Sequence, residues 1–378
     1  VTIETPPASA RRFLFVDGLR GVAAMAVVVH HAARPISEIS GDWVPARLLW
    51  IADLGTLGVD VFFVLSGFVI AHSIRNAEPS FRYLARFGLR RSIRLDPPLW
   101  ATIAIELALV KVTMVAFTAQ GAELPSFTVI LSNVTYTQEL LQLPNIVAAF
   151  WSLTYEVQFY IVLVGTFVVV HLLFPTARAR IARVLLAGSL AYSLLIWTGV
   201  LPQLQPGLFI QRWFQFALGI WAWAAAQGHM SRRSFGVACM VSVCAILLIS
   251  SSGPGEFGET ALTPSGFRQL TIAVAVATAV ALYLALVFGR MGDWLASRPI
   301  QFLGGISYSL YLLHSSVGDR FIALTGLVAP APLGPASALV LLVASVALSV
   351  VCSWCLYRVV EKPSIALGRR VSLPRRRP

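Results

Sequence analysis

Ten apolar runs of about 20 residues, parted by short polar connections, constrain this chain more than any other feature. A helix needs about 20 such residues to cross the hydrocarbon core of a bilayer. The runs fall at roughly 14–34, 54–74, 97–117, 148–173, 183–201, 208–227, 234–251, 268–289, 302–325 and 336–358. No water reaches backbone N–H and C=O groups in that core, so each run must satisfy its own hydrogen bonds as a helix. The expected fold class is therefore all-α: a polytopic membrane protein with about ten transmembrane helices. Only 12% of the 378 residues are charged, about half the share of a soluble domain. Proline- and glycine-rich connections at 201–207, 252–258 and 328–335 read as turns rather than domain linkers.

The charges set the orientation. The chain carries 29 Lys and Arg against 17 Asp and Glu, a formal net charge of +12. The arginines are spread between apolar runs rather than gathered on one soluble face, which argues against a nucleic-acid partner. Most fall in the two tails and the even-numbered loops. The positive-inside rule then puts both termini in the cytoplasm. The stretch around 118–147, which has no Lys or Arg, is an outer connection, expected to form a short helix or a cap. Its Asn133-Val134-Thr135 sequon reads as accidental. The first run lacks an A-x-A site and carries Arg20, so it does not read as a cleavable signal peptide. Cys239, Cys244, Cys352 and Cys355 lie in apolar runs and read as buried packing residues, with no metal site implied.

Ionisable residues inside such runs are costly and are functional candidates by default. The candidates among them are Arg20, His31, Asp60, Glu106, Lys111, Glu156, Arg212 and His314. Arg20 and His31 are eleven residues apart, about three helical turns, so they share one face of the first helix. Asp17 lies close to that stripe, and His30 points about 100° away. The competing reading is that buried polar pairs merely join helices, and it suits Glu106 and Lys111 best. The stretch 81–94 is amphipathic and strongly basic. Arg91 and Arg94, three apart, share a face fit to clamp phosphates, or to attract anionic lipid headgroups.

Six blocks then carry a family resemblance. Arg20 and His31 form an R-x10-H element. Gly58 to Phe68 read G-V-D-V-F-F-V-L-S-G-F. Arg91 and Arg94 form R-x-x-R ahead of a proline. Trp151 to Tyr160 read W-S-L-T-Y-E-V-Q-F-Y. Ser307, Tyr308, Tyr311, Leu312 and His314 form S-Y-x-x-Y-L-x-H, and Glu361 to Pro363 close with E-K-P. In this order, from about Phe13 to Pro363, the chain resembles the acyltransferase-3 family of membrane-bound O-acyltransferases. Two positions depart from the pattern: Asp96 stands where an aromatic residue usually precedes proline, and Ser315 follows His314 where tryptophan is frequent. The resemblance implies a membrane domain over 1–363, a basic cytoplasmic tail over 364–378, and a bacterial inner-membrane location.

It also implies a reaction. An acyl group, often acetyl, passes from acyl-CoA (acetyl-CoA) to a hydroxyl of a carbohydrate or glycolipid acceptor at the outer side, with no metal. His31 is then the general base, because its ordinary pKa lies near neutrality. Arg20 draws in or polarises the thioester, and Glu156 orients His31 or holds the sugar. Arg91 and Arg94 bind the donor phosphates. Asp60, Trp151, Tyr155, Tyr160, Arg212 and His314 are candidate substrate-binding residues, with Asp60 also suited to hold Arg20 or another cation. Direct transfer and an acyl-histidine intermediate both remain open. The rival classes are a transporter or flippase of a sugar-linked lipid, and a membrane sensor or scaffold.

Overall fold

The computed structural model describes residues 8–41, 44–116, 123–249, 263–289, 293–328 and 332–374. The turn expected at 252–258, part of that at 328–335 and the last four residues of the basic tail lie outside them. The described residues fold as thirteen α-helices: α1 (Ala8–Ser40), α2 (Ala46–Asp53), α3 (Gly58–Ile74), α4 (Phe81–Ala116), α5 (Phe127–Val134), α6 (Phe150–Leu173), α7 (Arg178–Trp197), α8 (Trp213–Ala226), α9 (Arg232–Ala245), α10 (Pro264–Phe288), α11 (Arg298–Val328), α12 (Pro335–Leu356) and α13 (Lys362–Arg370). The all-α expectation holds. Each apolar run is occupied mainly by one helix, and α2, α5 and α13 are short additions.

Among the described residues, seven segments are long and apolar enough to cross a membrane: Leu14–Ser40, Ala46–Ile74, Phe81–Val115, Phe150–Leu173, Arg178–Trp197, Pro264–Phe288 and Pro335–Arg370. The helices α8, α9 and α11 coincide with the other three runs but do not meet that standard. α8 and α9 have 14 residues each. α11 has the length, but serines and glycines lower its hydropathy. For α11 the surroundings explain the low hydropathy: it is buried almost continuously from Gly304 to Ser316. A helix enclosed by other helices has no lipid to satisfy.

Small residues set the two closest crossings. On α3 and α8, a Cβ at Gly67 would strike the carbonyl of Phe216, and one at Gly219 would strike that of Val64. Gly67→Ala is therefore expected to force α3 from α8 and destabilise the protein by about 1–3 kcal/mol, the usual cost of overpacking. Thermal unfolding in detergent checks this. On α1 and α11, Gly304 lies against the carbonyl of Asp17, and Gly21 against the backbone of Gly304. Ten residues further along both helices, His31 meets His314. The two helices therefore run parallel and in register, about 15 Å from one contact to the other.

The basic stretch 81–94 and the following run form a single helix, with Pro97 and Pro98 inside it. A proline removes one intrahelical bond and crowds the preceding turn, yet neither ends the helix. The sequon asparagine is buried: Asn133 Nδ2 donates to the carbonyls of Val129 (2.9 Å) and Pro144 (3.0 Å), and Oδ1 accepts from Ile146 N at 3.0 Å. It ties α5 to the chain that leads into α6.

Candidate active site

Side chains from five helices wall one inner cavity. Arg20 comes from α1 and Ser66 from α3. Arg91 and Arg94 come from α4, Ser152, Glu156 and Tyr160 from α6, and Ser307, Tyr308 and Tyr311 from α11. Helical spacing explains each set. Positions 152, 156 and 160 recur every four residues, 91 and 94 are three apart, and 307, 308 and 311 fall on one side of α11. The cavity thus joins residues from five of the six sequence blocks.

Its electrostatics are lopsided. Arg20, Arg91 and Arg94 form no ion pair among the described residues. Arg91 lies over the rings of Tyr160 (4.8 Å) and Phe87 (5.5 Å), a cation–π arrangement. Glu156 is engaged elsewhere: Oε1 accepts from Ser66 Oγ at 2.5 Å and from the Tyr160 hydroxyl. Glu156 therefore holds Tyr160, on whose ring Arg91 rests. Arg94 also lines two neighbouring cavities, one with Arg75, Arg90 and Arg91 and one with Asp17, Arg20 and Glu361. Glu361 ends a π-helical turn between α12 and α13, and its Oε2 accepts from Ser309 N (3.2 Å) and Oγ (2.6 Å).

His31 stands apart from this cavity. Its ring centroid is 4.9 Å from that of His314 and 5.1 Å from that of His30. His314 Nδ1 faces the carbonyls of Tyr311 (2.9 Å) and Leu310 (3.2 Å), which only accept, so Nδ1 carries the proton. Nε2 then accepts from the Ser315 hydroxyl at 3.1 Å. The two carbonyls thus fix the His314 tautomer, and Ser315, one of the two departures, supplies the donor to Nε2. His31 itself has no hydrogen-bond partner among the described residues, which leaves its ring nitrogens for a substrate. Tyr311 links the two regions: its hydroxyl pairs with Ser152 Oγ at 2.7 Å, and its ring lies 6.0 Å from that of His314.

Several expectations are corrected. Glu156 is not brought to His31, since its carboxylate faces Ser66 and Tyr160. Of the two options allowed for Asp60, Arg20 or another cation, it holds the second, Arg212. It is 1% exposed and pairs with Arg212, itself 2% exposed, at 2.9 Å, with Gln215 and Thr271 also donating to it. Arg212 lies over Trp197 at 4.3 Å and Trp151 at 5.4 Å. Trp151 and Tyr155 are one turn apart on the face of α6 turned to this strut. Tyr155 is fully buried, and its hydroxyl accepts from Gln211, so it offers no surface to a sugar. Glu106 pairs bidentately with Arg320 of α11 at 2.5 and 2.6 Å, while Lys111 is exposed.

The sequence reading missed the cluster behind His31. Asp53, fully buried at the end of α2, accepts from Arg34 Nε (3.0 Å) and NH2 (2.7 Å), and lies 3.2 Å from His30 Nδ1. A carboxylate one residue ahead of an apolar run was the available signal. The departure at Asp96 also has a partner. Tyr136, in the left-handed region at φ 57°, donates its hydroxyl to Asp96 at 3.0 Å. Burial first, and the Asp96 carboxylate second, push the Tyr136 phenol above its ordinary pKa, so it remains a donor.

An all-helical scaffold with long apolar helices defines the class: a multi-pass membrane protein. The model of the acyltransferase-3 family, described as an acyltransferase domain, matches residues 13–358, and the chain belongs to that family. It is 29% identical, over 96% of its length and 95% of the relative's, to the acyltransferase MdmB of Streptomyces mycarofaciens. It is 24% identical over 79% of its length to the peptidoglycan O-acetyltransferase OatA of Listeria monocytogenes, and spans 48% of that protein. The O-acetyltransferase OatA of Staphylococcus aureus is 25% identical, again over 79% of the chain and 49% of the relative. No solved structure matches. Membership in a family of acyltransferases displaces the transporter, flippase, sensor and scaffold readings.

Proposed function

We propose that the protein moves an acyl group, acetyl in the simplest case, from acyl-CoA in the cytosol to a hydroxyl of a carbohydrate or glycolipid at the outer side of the bacterial inner membrane. The observation that carries this reading is the meeting of Arg20, Arg91 and Arg94 in one cavity without an ion-paired acid. Three half-buried cations outnumber the single carboxylate of that wall, Glu156, which is bonded to Ser66 and Tyr160; such an excess favours an anionic ligand, and guanidinium groups suit phosphate. With the termini in the cytosol, this arginine end faces the compartment that supplies acyl-CoA.

Arg91 and Arg94 then hold donor phosphates, and Glu156, through Tyr160, positions Arg91. The thioester arm extends along the α1–α11 face past Arg20 and Tyr311 toward His31, about 16 Å along the helix from Arg20. His31 takes the proton of the acceptor hydroxyl, whose oxygen attacks the thioester carbonyl. The C–S bond breaks, and the thiolate leaves with the proton that His31 returns. His314, its tautomer fixed by the Tyr311 and Leu310 carbonyls, packs against His31 and limits its rotation. In the acyl-histidine variant, His31 is acylated first and the hydroxyl attacks second.

The test is transfer of label from [14C]acetyl-CoA to alkali-labile ester in membranes with and without the protein. Label that requires the protein supports the reading. No protein-dependent ester from acetyl-CoA or longer acyl-CoA contradicts it. Initial rates against both substrates separate the two chemistries: intersecting double-reciprocal lines indicate direct transfer, and parallel lines the acyl-histidine.

A further inference from the structure

A base that must take a proton at one place needs a further group to hold its orientation. His31 has no such hydrogen bond among the described residues. Its ring stands instead between two other imidazoles, His30 at 5.1 Å and His314 at 4.9 Å between centroids. Each of the two is anchored from behind. His314 is held by carbonyls of its own helix. His30 is held from another element, because Asp53 at the end of α2 lies 3.2 Å from its Nδ1. Gly55 permits that approach. A Cβ there would strike the carbonyl of Ala26 at 2.2 Å and crowd Cβ of His30 at 2.9 Å. The glycine thus lets the 3₁₀ turn Leu54–Leu57 close on α1.

The same carboxylate cancels a charge. Arg34 directs both arms of its guanidinium at Asp53, at 3.0 and 2.7 Å. At 100° per residue, Arg34 falls between His30 and His31 around α1, one turn further along. Residues three and four apart are neighbours, with Cβ atoms about 5–6 Å from each other. When His31 takes the acceptor proton it becomes a cation, and an uncancelled guanidinium one turn away would oppose it. Paired with Asp53, Arg34 brings no net charge. On the other side of His31, α11 presents the His314 ring. The next cation along α11, Arg320, is closed on Glu106 of α4. His30, Arg34 and Asp53 all lie outside the six sequence blocks.

We propose that His30 and Asp53 are positioning residues for His31. His30 wedges the base against His314. Asp53 seats His30 and neutralises Arg34, so the imidazolium formed at His31 meets no opposing cation. The inference rests on the reading of His31 as general base. Neither residue lines the inner cavity, so both act on the rate of transfer rather than on the donor's binding there.

The test is formation of alkali-labile ester from [14C]acetyl-CoA in membranes of the native cell that lack the wild-type protein. Equal amounts of full-length variants, each shown folded by its melting curve, are supplied to them. Asp53→Asn keeps the shape of the side chain and leaves Arg34 uncancelled. It is expected to lower kcat about tenfold or more, with KM for acetyl-CoA unchanged. Adding Arg34→Gln to Asp53→Asn removes both charges and is expected to recover most of that loss. A contact that only joined α1 to α2 would not be mended by removing its second half. His30→Ala is expected to lower kcat in the same way, and His30→Phe, which keeps a ring against His31, to recover most of it. If Asp53→Asn does not fold, the two His30 variants decide alone. Wild-type rates in Asp53→Asn and His30→Ala overturn the inference. So does a double variant no faster than Asp53→Asn, or His30→Phe no faster than His30→Ala. In each of these cases an inactive His31→Ala leaves the general base in place. Unchanged transfer in His31→Ala overturns the base and, with it, the inference.

Discussion

His31→Ala is expected to reduce acyl transfer by about 10²–10⁴-fold, the usual contribution of a general base, while the protein still inserts and melts as the wild type does. The structural reason for intact folding is specific. His31 touches His30 and His314 through ring contacts but forms no hydrogen bond or ion pair among the described residues, so its removal leaves no buried partner stranded. His314→Ala is expected to be milder, because His314 is bonded to its own helix and to Ser315 and acts by positioning. Rates and melting curves of both purified variants check this. Unchanged transfer in His31→Ala sinks the assignment of the base, and loss of folded protein would mean the residue is structural.

Asp60→Ala is expected to act on folding instead. Asp60 and Arg212 are buried and joined at 2.9 Å, and breaking a buried pair from one side costs about 3–5 kcal/mol because the other charge is left uncompensated. Here the stranded group is Arg212, wedged between Trp151 and Trp197 at a point where α3, α6, α7 and α8 meet. The expected result is a large drop in melting temperature and in folded yield, partly recovered when Arg212 is also replaced by Met. A normal melting curve with a raised acceptor KM would instead restore Asp60 and Arg212 as substrate-binding residues.

These two cases show what the sequence exposes and what it hides. Hydrophobic period and length disclose a helix at all ten apolar runs, since each must satisfy its own backbone. The Arg20–His31 stripe is legible because helical spacing is local. The same logic finds Ser307, Tyr308 and Tyr311 on one side of α11. Pairing across the bundle is not local. Asp60 and Arg212 are 152 positions apart, and no spacing rule connects them. Nor does any rule indicate that Glu156 turns to Ser66 and Tyr160 rather than to His31, or that Asp53 stands behind His30. The depth of α11 is hidden for a related reason: a helix wrapped by protein can carry the polar residues that a lipid-facing span excludes. The continuity of α4 through Pro97-Pro98 comes from tertiary contacts that override local signals.

The central claim is that the donor enters at the arginine end and the acceptor is acylated at the other, across the membrane. Sealed membrane vesicles from the native cell, prepared in both orientations and given membrane-impermeant [14C]acetyl-CoA outside, test this most directly. The account predicts protein-dependent ester label only in inside-out vesicles, where the cytosolic face meets the donor, and none with His31→Ala. Equal labelling of intact right-side-out vesicles would contradict it.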